Sequence, residues 1–348
     1  MPGDVERLRQ MITGYTISQV IAVAATLDLA DMMPKDAMTP EQLATKTGAH
    51  GPALTRLLHA LVALGLAEEP HAGQFRMTAL GSLLRKGAPE CDLALMAGSE
   101  FNWRTWGDLL YAVRTGETAF EHVFGMKNFE WIALKPERAA AFDAYMANYT
   151  QRAAAAILAT YDFSPYRLIV DIGGGNGVLM NGILSSTPAE GIIFDTLTGI
   201  EGAKQRLGVE VAGRYQLLAG DFFQTVPEGG DAYILKSILH DWNDHDAIAI
   251  LRNCQRAMRS DSTLVVIERL LPERVENSAA HREIVMMDLH MLVMLNGRER
   301  SKAEYAALFA AAGLRLTATI PTSSQYAVME VLKADASSAI NNIPPTGC

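Results

Sequence analysis

Asp171-Ile172-Gly173-Gly174-Gly175-Asn176-Gly177 sets an acidic residue at the end of one element and glycines at every second position after it. Without Cβ atoms such a turn adopts positive φ and brings backbone N–H groups against a small ligand. Leu168-Ile169-Val170 leads into it as a short apolar strand, and Val178, Leu179, Met180, Ile183 and Leu184 follow at helical spacing. Strand, glycine turn and helix form a nucleotide-binding context. The dinucleotide fingerprint G-x-G-x-x-G fails, because its two frames end on Val178 and Met180. What stands is D-x-G-x-G-x-G, which suits a nucleotide-like cofactor and, less specifically, a structural turn.

Outward from the turn, short apolar strands at 168–172, 192–195, 215–218, 231–235, 263–268, 314–319 and 326–332 alternate with helices. The alternation predicts an α/β, Rossmann-like, doubly wound sheet, mostly parallel with a final antiparallel hairpin. The second strand delivers Asp195 at its end, where a carboxylate accepts from ribose hydroxyls. The third ends in Gly220-Asp221-Phe222-Phe223, an acid for an adenine amino group beside an aromatic wall. The fourth runs into Lys236-Ser237-Ile238-Leu239-His240-Asp241-Trp242. All four tips fall on the carboxyl edge, where open α/β sheets bind ligands.

The first part of the chain is of another kind. Apolar residues from Val5 to Met33 cover more than one helical face and need partners. Thr39-Pro40-Glu41-Gln42 reads as a capping box with proline in the first turn, and Gly48 ends that helix. Pro52 to Leu64 forms a second helix, followed by a hairpin through Gly65–Glu69 and Gly73–Met77. This is a winged-helix pattern. As a DNA reader it lacks the cations that phosphates demand, since Arg56 is the one Lys or Arg between Gly51 and Gly65, so a packing or dimerisation platform is expected. The expected domains are 1–105 (helical, winged-helix), 106–160 (connecting helices bordering a substrate pocket), 161–334 (cofactor-binding sheet) and a disordered tail, 335–348.

Composition agrees with an enzyme. At 348 residues, two domains are expected; 49% hydrophobic and 20% charged residues are those of a soluble globular chain. No apolar run reaches the roughly 18 residues of a membrane span, and the N-terminus lacks a signal-peptide pattern, so a cytoplasmic location is expected. Cys91, Cys254 and Cys348 make neither a disulfide framework nor a metal spacing. A net charge of −9 argues against a nucleic-acid partner.

Leu235-Lys236-Ser237-Ile238-Leu239-His240-Asp241-Trp242, with the glycine motif, resembles the hallmark of the S-adenosylmethionine-dependent small-molecule O-methyltransferases. These are the plant caffeate type and the bacterial enzymes acting on phenazine, polyketide and other antibiotic aromatics. The likeness covers about residues 5–333, including Ile267-Glu268-Arg269, Gly297-Arg298-Glu299-Arg300-Ser301 and Tyr326-Ala327-Val328-Met329-Glu330. It implies His240 as general base flanked by Glu268 and Glu299. A phenol of pKa about 10 needs its proton removed, and imidazole near 6.5 can take it. It implies Gly173, Gly175, Asp195, Asp221, Phe222, Lys236 and Thr150 as cofactor contacts, although Thr196-Leu197 departs from the Leu-Pro common after the ribose acid. Metal-assisted transfer is not expected, because the clustered Asp and Asn ligands of that separate family have no counterpart. Met286 to Met294 matches the helix lining the acceptor pocket, which puts Met146, Asp288 and Met291 at a small aromatic substrate, a phenol or an N-hydroxy heteroaromatic. A homodimer is implied. Two other classes compete: a relative that keeps the cofactor without methylating, disfavoured by His240 with both acids, and a nucleotide-sensing winged-helix regulator, disfavoured by the uncharged second helix.

Overall fold

Parallel strands covered on both faces read as near-continuous apolar runs, and the central strands of this computed structural model follow that rule. An antiparallel hairpin of β1 (Ala67–His71) and β2 (Gln74–Met77) precedes them in the chain. The remaining strands are β3 (Leu168–Ile172), β4 (Glu190–Asp195), β5 (Tyr215–Ala219), β6 (Ala232–Lys236), β7 (Thr263–Glu268), β8 (Leu314–Pro321) and β9 (Ala327–Lys333). These seven make one sheet in the order β5-β4-β3-β6-β7-β9-β8. The pairings among β3 to β7 are parallel, and β9 runs antiparallel to both β7 and β8. Val170, Ile172, Tyr233, Leu235, Leu264 and Val266 pack into one core, whereas Ile169, Ile193, Ile234, Val265 and Ile267 pack into another. These are the two faces of a period-two pleat. The expected α/β sheet with a closing antiparallel hairpin is therefore the observed one.

The order reverses between β3 and β6, the point where open α/β sheets form their crevice. The glycine turn follows β3 and the His240 turn follows β6, so the topology sets the two chemical motifs side by side.

The structure describes residues 2–33 and 36–334; the expected tail, 335–348, lies outside them. The chain divides into a unit of residues 1–107 with 136–145 and a unit of residues 108–135 with 146–348, which holds the sheet. In the first unit the helix Pro40–Thr47 starts on the capping box: Gln42 N–H donates to Thr39 Oγ1 and Thr39 N–H donates to Gln42 Oε1. It stops at Gly48, whose φ of 69° is left-handed. The helix Gly51–Ala63 and then the β1–β2 hairpin follow. Leu29, Leu43, Leu54, Leu58, Leu61 and Phe75 form the core of this unit. The helix Pro2–Thr26 leaves Val5, Leu8, Met11, Ile12 and Tyr15 each more than half exposed. Among the described residues no helix is long and apolar enough to cross a membrane.

Behind the site, Asp231 pins the amino ends of β3 and β6. One carboxylate oxygen accepts from Arg167 N–H at 2.8 Å and Leu168 N–H at 2.9 Å, and the other meets the Arg259 guanidinium. Burial opposes the charge, but the Leu168 N–H, Arg259 and the Arg167 N–H prevail and hold Asp231 below the usual carboxylate range. A depressed folded pKa contributes stability above the unfolded value, about 4, that is lost as pH falls through the folded one. Asp231→Ala should cost about 2 kcal/mol at pH 7, as for strand N–H groups stripped of a charged acceptor, read as a lower urea midpoint with unchanged slope. The deficit should shrink below about pH 3.

Candidate active site

At the end of β3, Gly173, Gly175 and Gly177 have φ of 68°, 52° and 73°, the left-handed region where a side chain is strained. Gly173 N–H donates to Phe194 O, tying the turn to β4. Gly175 N–H donates to Asp195 Oδ2 at 2.8 Å, and Thr196 N–H donates to Asp195 Oδ1 at 2.6 Å. Burial raises the Asp195 pKa despite these donors. The structure thus joins the two residues most expected at the cofactor. Asp221 is exposed beyond β5 and accepts from Phe223 N–H. Phe222 lies edge-on to Trp242, and its ring borders the Gly173 position. Lys236, at the end of β6, donates from Nζ to Thr150 Oγ1 at 3.3 Å, so these two expected contacts also meet.

His240 sits in a single 3-10 turn, Leu239–Asp241, and is buried. Glu299 Oε1 lies 2.9 Å from His240 Nδ1, while the nearest Glu268 oxygen is 4.0 Å from it. Glu268 acts on the backbone instead. Its Oε1 accepts the successive N–H groups of Ile238 and Leu239, at 3.0 and 2.9 Å, and so fixes the turn that carries the imidazole. Asp241 Oδ1 stands 3.3 Å from His240 Nε2. Burial works against charging the imidazole, but Glu268, Asp241 and Glu299 outweigh it and hold His240 well above the usual histidine range. Burial lifts Glu268 to about 7 and Asp241 to about 6, against the pull of His240 on each. Burial opposes the Glu299 charge too, yet His240 and Arg269 keep that carboxyl below its usual range. Donor atoms of His240, Glu268 and Glu299 lie within 4.8 Å of one another, and because an ionised carboxylate only accepts, the 2.9 Å contact with Glu299 calls for a proton on Nδ1. The trio is built to hold a proton.

The acceptor-side expectations distribute unevenly. Met291 is buried and Met146 half-buried, each on its own helix, Ala279–Leu295 and Pro136–Thr160. Asp288 is brought to the His240 cluster from behind, since its Oδ1 accepts Glu299 N–H at 2.9 Å. An open depression of about 580 Å³ lies on that side, lined by Asn243, Asp288, Leu292, Gly297 and Glu299. His290 is held down to about 4 by burial and then by His240 and Arg269.

Sequence reading passed over three groups. Tyr326 links the network: Ser237 Oγ donates to its hydroxyl at 3.0 Å, and Lys236 Nζ lies 5.1 Å from its ring centre. Arg269 donates from Nη1 to Glu299 Oε1 at 3.3 Å. Gly297 lets the Glu299 loop touch the His240 turn, for a Cβ there would stand 2.1 Å from His240 O. All three sit inside the motifs of the family resemblance; a ring contact, a close approach of two backbones and a buried cation leave no local period to read.

Comparison with known proteins agrees with this geometry. Residues 106–315 match the O-methyltransferase domain family and residues 9–87 match the O-methyltransferase dimerisation domain. The phenazine O-methyltransferase of Lysobacter antibioticus is 43% identical over 327 residues, 93% of this chain and 94% of that protein. The structure of a mitomycin 7-O-methyltransferase superposes with a TM-score of 0.90 at 33% identity, covering 96% of this chain and 98% of that one. An O-methyltransferase from neocarzinostatin biosynthesis, solved with S-adenosylmethionine and 2-hydroxy-5-methyl naphthoic acid, gives 0.81 at 32% identity, covering 91% and 96%. The chain belongs to the S-adenosylmethionine-dependent O-methyltransferase family.

Proposed function

We propose that this protein transfers a methyl group from S-adenosylmethionine to a hydroxyl of a small, flat aromatic metabolite of the antibiotic type, with His240 as general base. The observation that carries the reading is a buried imidazole, held at Nδ1 by Glu299, at the strand tip adjoining the glycine turn. The cofactor fits that turn on a structural ground. At Gly175 φ is positive and no atom lies within 4 Å of where a Cβ would stand, so a ligand can approach the backbone closely there. Gly173, Gly175, Asp195, Asp221, Phe222, Lys236 and Thr150 are assigned to hold it. When bound, it would supply a sulfonium methyl, whose carbon an oxygen nucleophile attacks in line while the C–S bond breaks and the neutral thioether leaves.

His240 takes the hydroxyl proton at Nε2 as the O–C bond forms, and Glu299 holds the Nδ1–H and stabilises the resulting imidazolium. Asp241 Oδ1 stands 3.3 Å from Nε2 as an ion-pair neighbour, beside the nitrogen that meets the acceptor hydroxyl in this reading. Met146, Met291 and neighbouring methionines of the helix Ala279–Leu295 suit a flat ring through adaptable sulfur contacts. The exposed stripe on the helix Pro2–Thr26, within the matched dimerisation region in large part, supports a homodimer.

Asp195→Ala should weaken S-adenosylhomocysteine binding by at least about 1.5 kcal/mol, the scale of a lost charge-assisted hydrogen bond. Calorimetry giving equal affinities would remove Asp195 from the cofactor site.

His240→Ala should lower turnover about 10²–10⁴-fold on a hydroxylated aromatic, with cofactor affinity kept. Because the surrounding carboxylates raise the His240 pKa, the neutral, proton-accepting form grows with pH, and wild-type kcat should climb from pH 6 toward pH 9. A flat profile, or near-normal turnover in the variant, would make proximity alone the driver.

Leu8→Asp combined with Ile12→Asp puts two charges in the exposed stripe and should abolish the dimer in sedimentation analysis at micromolar concentration. A wild-type monomer that is fully active would overturn the assembly.

A further inference from the structure

The mechanism above leaves two buried cations unused, Arg269 and Arg300. Arg269 follows Glu268 directly and is 1% exposed, with its guanidinium 5.3 Å from the Tyr149 ring centre and 4.8 Å from that of Tyr326. Among the described residues its hydrogen bond to an acid runs from Nη1 to Glu299 Oε1, the same oxygen that faces His240 Nδ1. Its Nε and Nη2 are buried with no hydrogen-bond acceptor among the described residues. Arg300, equally buried, behaves otherwise: it directs its N–H groups to Asp244, Leu239 O, Trp242 O and Arg298 O. Arg300 is thus bonded as a structural arginine is. Two guanidinium nitrogens without acceptors are costly to bury, so an arginine kept in that state is kept for its charge.

We propose that Arg269 is a positioning residue for methyl transfer: gripped by Tyr149 and Tyr326, it shares the Glu299 oxygen with His240 and thereby limits how tightly that carboxylate holds the imidazole proton. The inference rests on His240 acting as the base. Three acids face the imidazole, Glu268 from β7, Glu299 from the loop after the helix Ala279–Leu295, and Asp241 from its own turn. Left alone, they would keep the proton on His240 and leave the base unavailable. Lys236 from β6 acts on Asp241, on the far side of the ring. His290 is held neutral near pH 7, and burial, then Glu268 and Glu299, keeps the Tyr305 hydroxyl protonated. Arg269 is therefore the cation placed on the Glu299 side.

The test uses the full-length protein with S-adenosylhomocysteine bound, labelled at histidine and followed by NMR, with His240→Gln to assign the signal. In Arg269→Met the His240 titration should move up by about one pH unit, the scale of removing a charge 4–6 Å away. In turnover assays the acidic limb of kcat should move with it, so that activity falls about tenfold at pH 7 and largely recovers by pH 9. Arg269→Lys, which keeps the charge without the planar fork, should fall between. A titration that stays in place, or a loss equal at every pH, would overturn the proposal and leave Arg269 a packing residue. If the methionine variant does not fold, the lysine variant decides by the same two readouts. Wild-type protein that methylates no hydroxylated aromatic would overturn the proposed activity, while the titration, which needs no turnover, still decides the role of Arg269.

Discussion

Glu268 is the side chain on which the active edge of the sheet depends. It has no exposed surface, and one of its oxygens accepts two successive backbone N–H groups in the turn after β6. That turn begins at Ser237, whose φ of 54° is unusual for a residue with a Cβ and costs on the order of 1–2 kcal/mol. Two charge-assisted bonds to the backbone, with the Ser237 bond to Tyr326, offset that strain and the burial of the acid. The result is an imidazole whose position follows from the backbone. Its orientation is set separately, by Glu299 on a loop that Gly297 allows to approach and Asp288 holds by its N–H.

The sheet is legible in the sequence because its signals are local. The expected and observed bounds of β3 coincide, as the apolar run ends on a glycine turn. The apolar signal of β4 begins at Ile192 although the strand starts at Glu190, because an exposed acid and a glycine carry no such signal even when they pair with Leu168 and Ile169. The capping box at Thr39 and the stop at Gly48 are legible for the same reason. The His240 cluster is different: its members lie on β7, a 3-10 turn and a distant loop, and only the family resemblance brings them together from sequence. Asp288, expected toward the acceptor, borders the open depression and also accepts Glu299 N–H. Helical spacing fixes the face a residue shares, not which loop will come to lie against it. Tyr149, Tyr326 and Arg269 leave no sequence signal of their meeting, because their contacts join the helix Pro136–Thr160, β7 and the residue before β9.

The two sides of the crevice are built from different materials, and the chemistry explains the difference. On the β3 and β4 side the groups are backbone N–H donors and single acids, suited to holding a neutral sugar and base in one register. On the β6 and β7 side three carboxylates converge within 4.0 Å of one imidazole. Methyl transfer to a neutral hydroxyl moves a positive charge and does not create one: the charge enters on sulfur and ends as a proton on the base. A site that serves both states needs anionic groups that favour a cation throughout, yet do not retain the proton so firmly that the base cannot begin neutral. Glu268 near 7 and Asp241 near 6 meet the first need flexibly, because each can itself carry a proton around neutrality. Glu299, held ionised by His240 and Arg269, supplies the one fixed negative charge. The acid in contact with the imidazole Nδ1 is therefore the one least free to change charge, which keeps the ring in a single tautomer and leaves its other nitrogen for the base role proposed above.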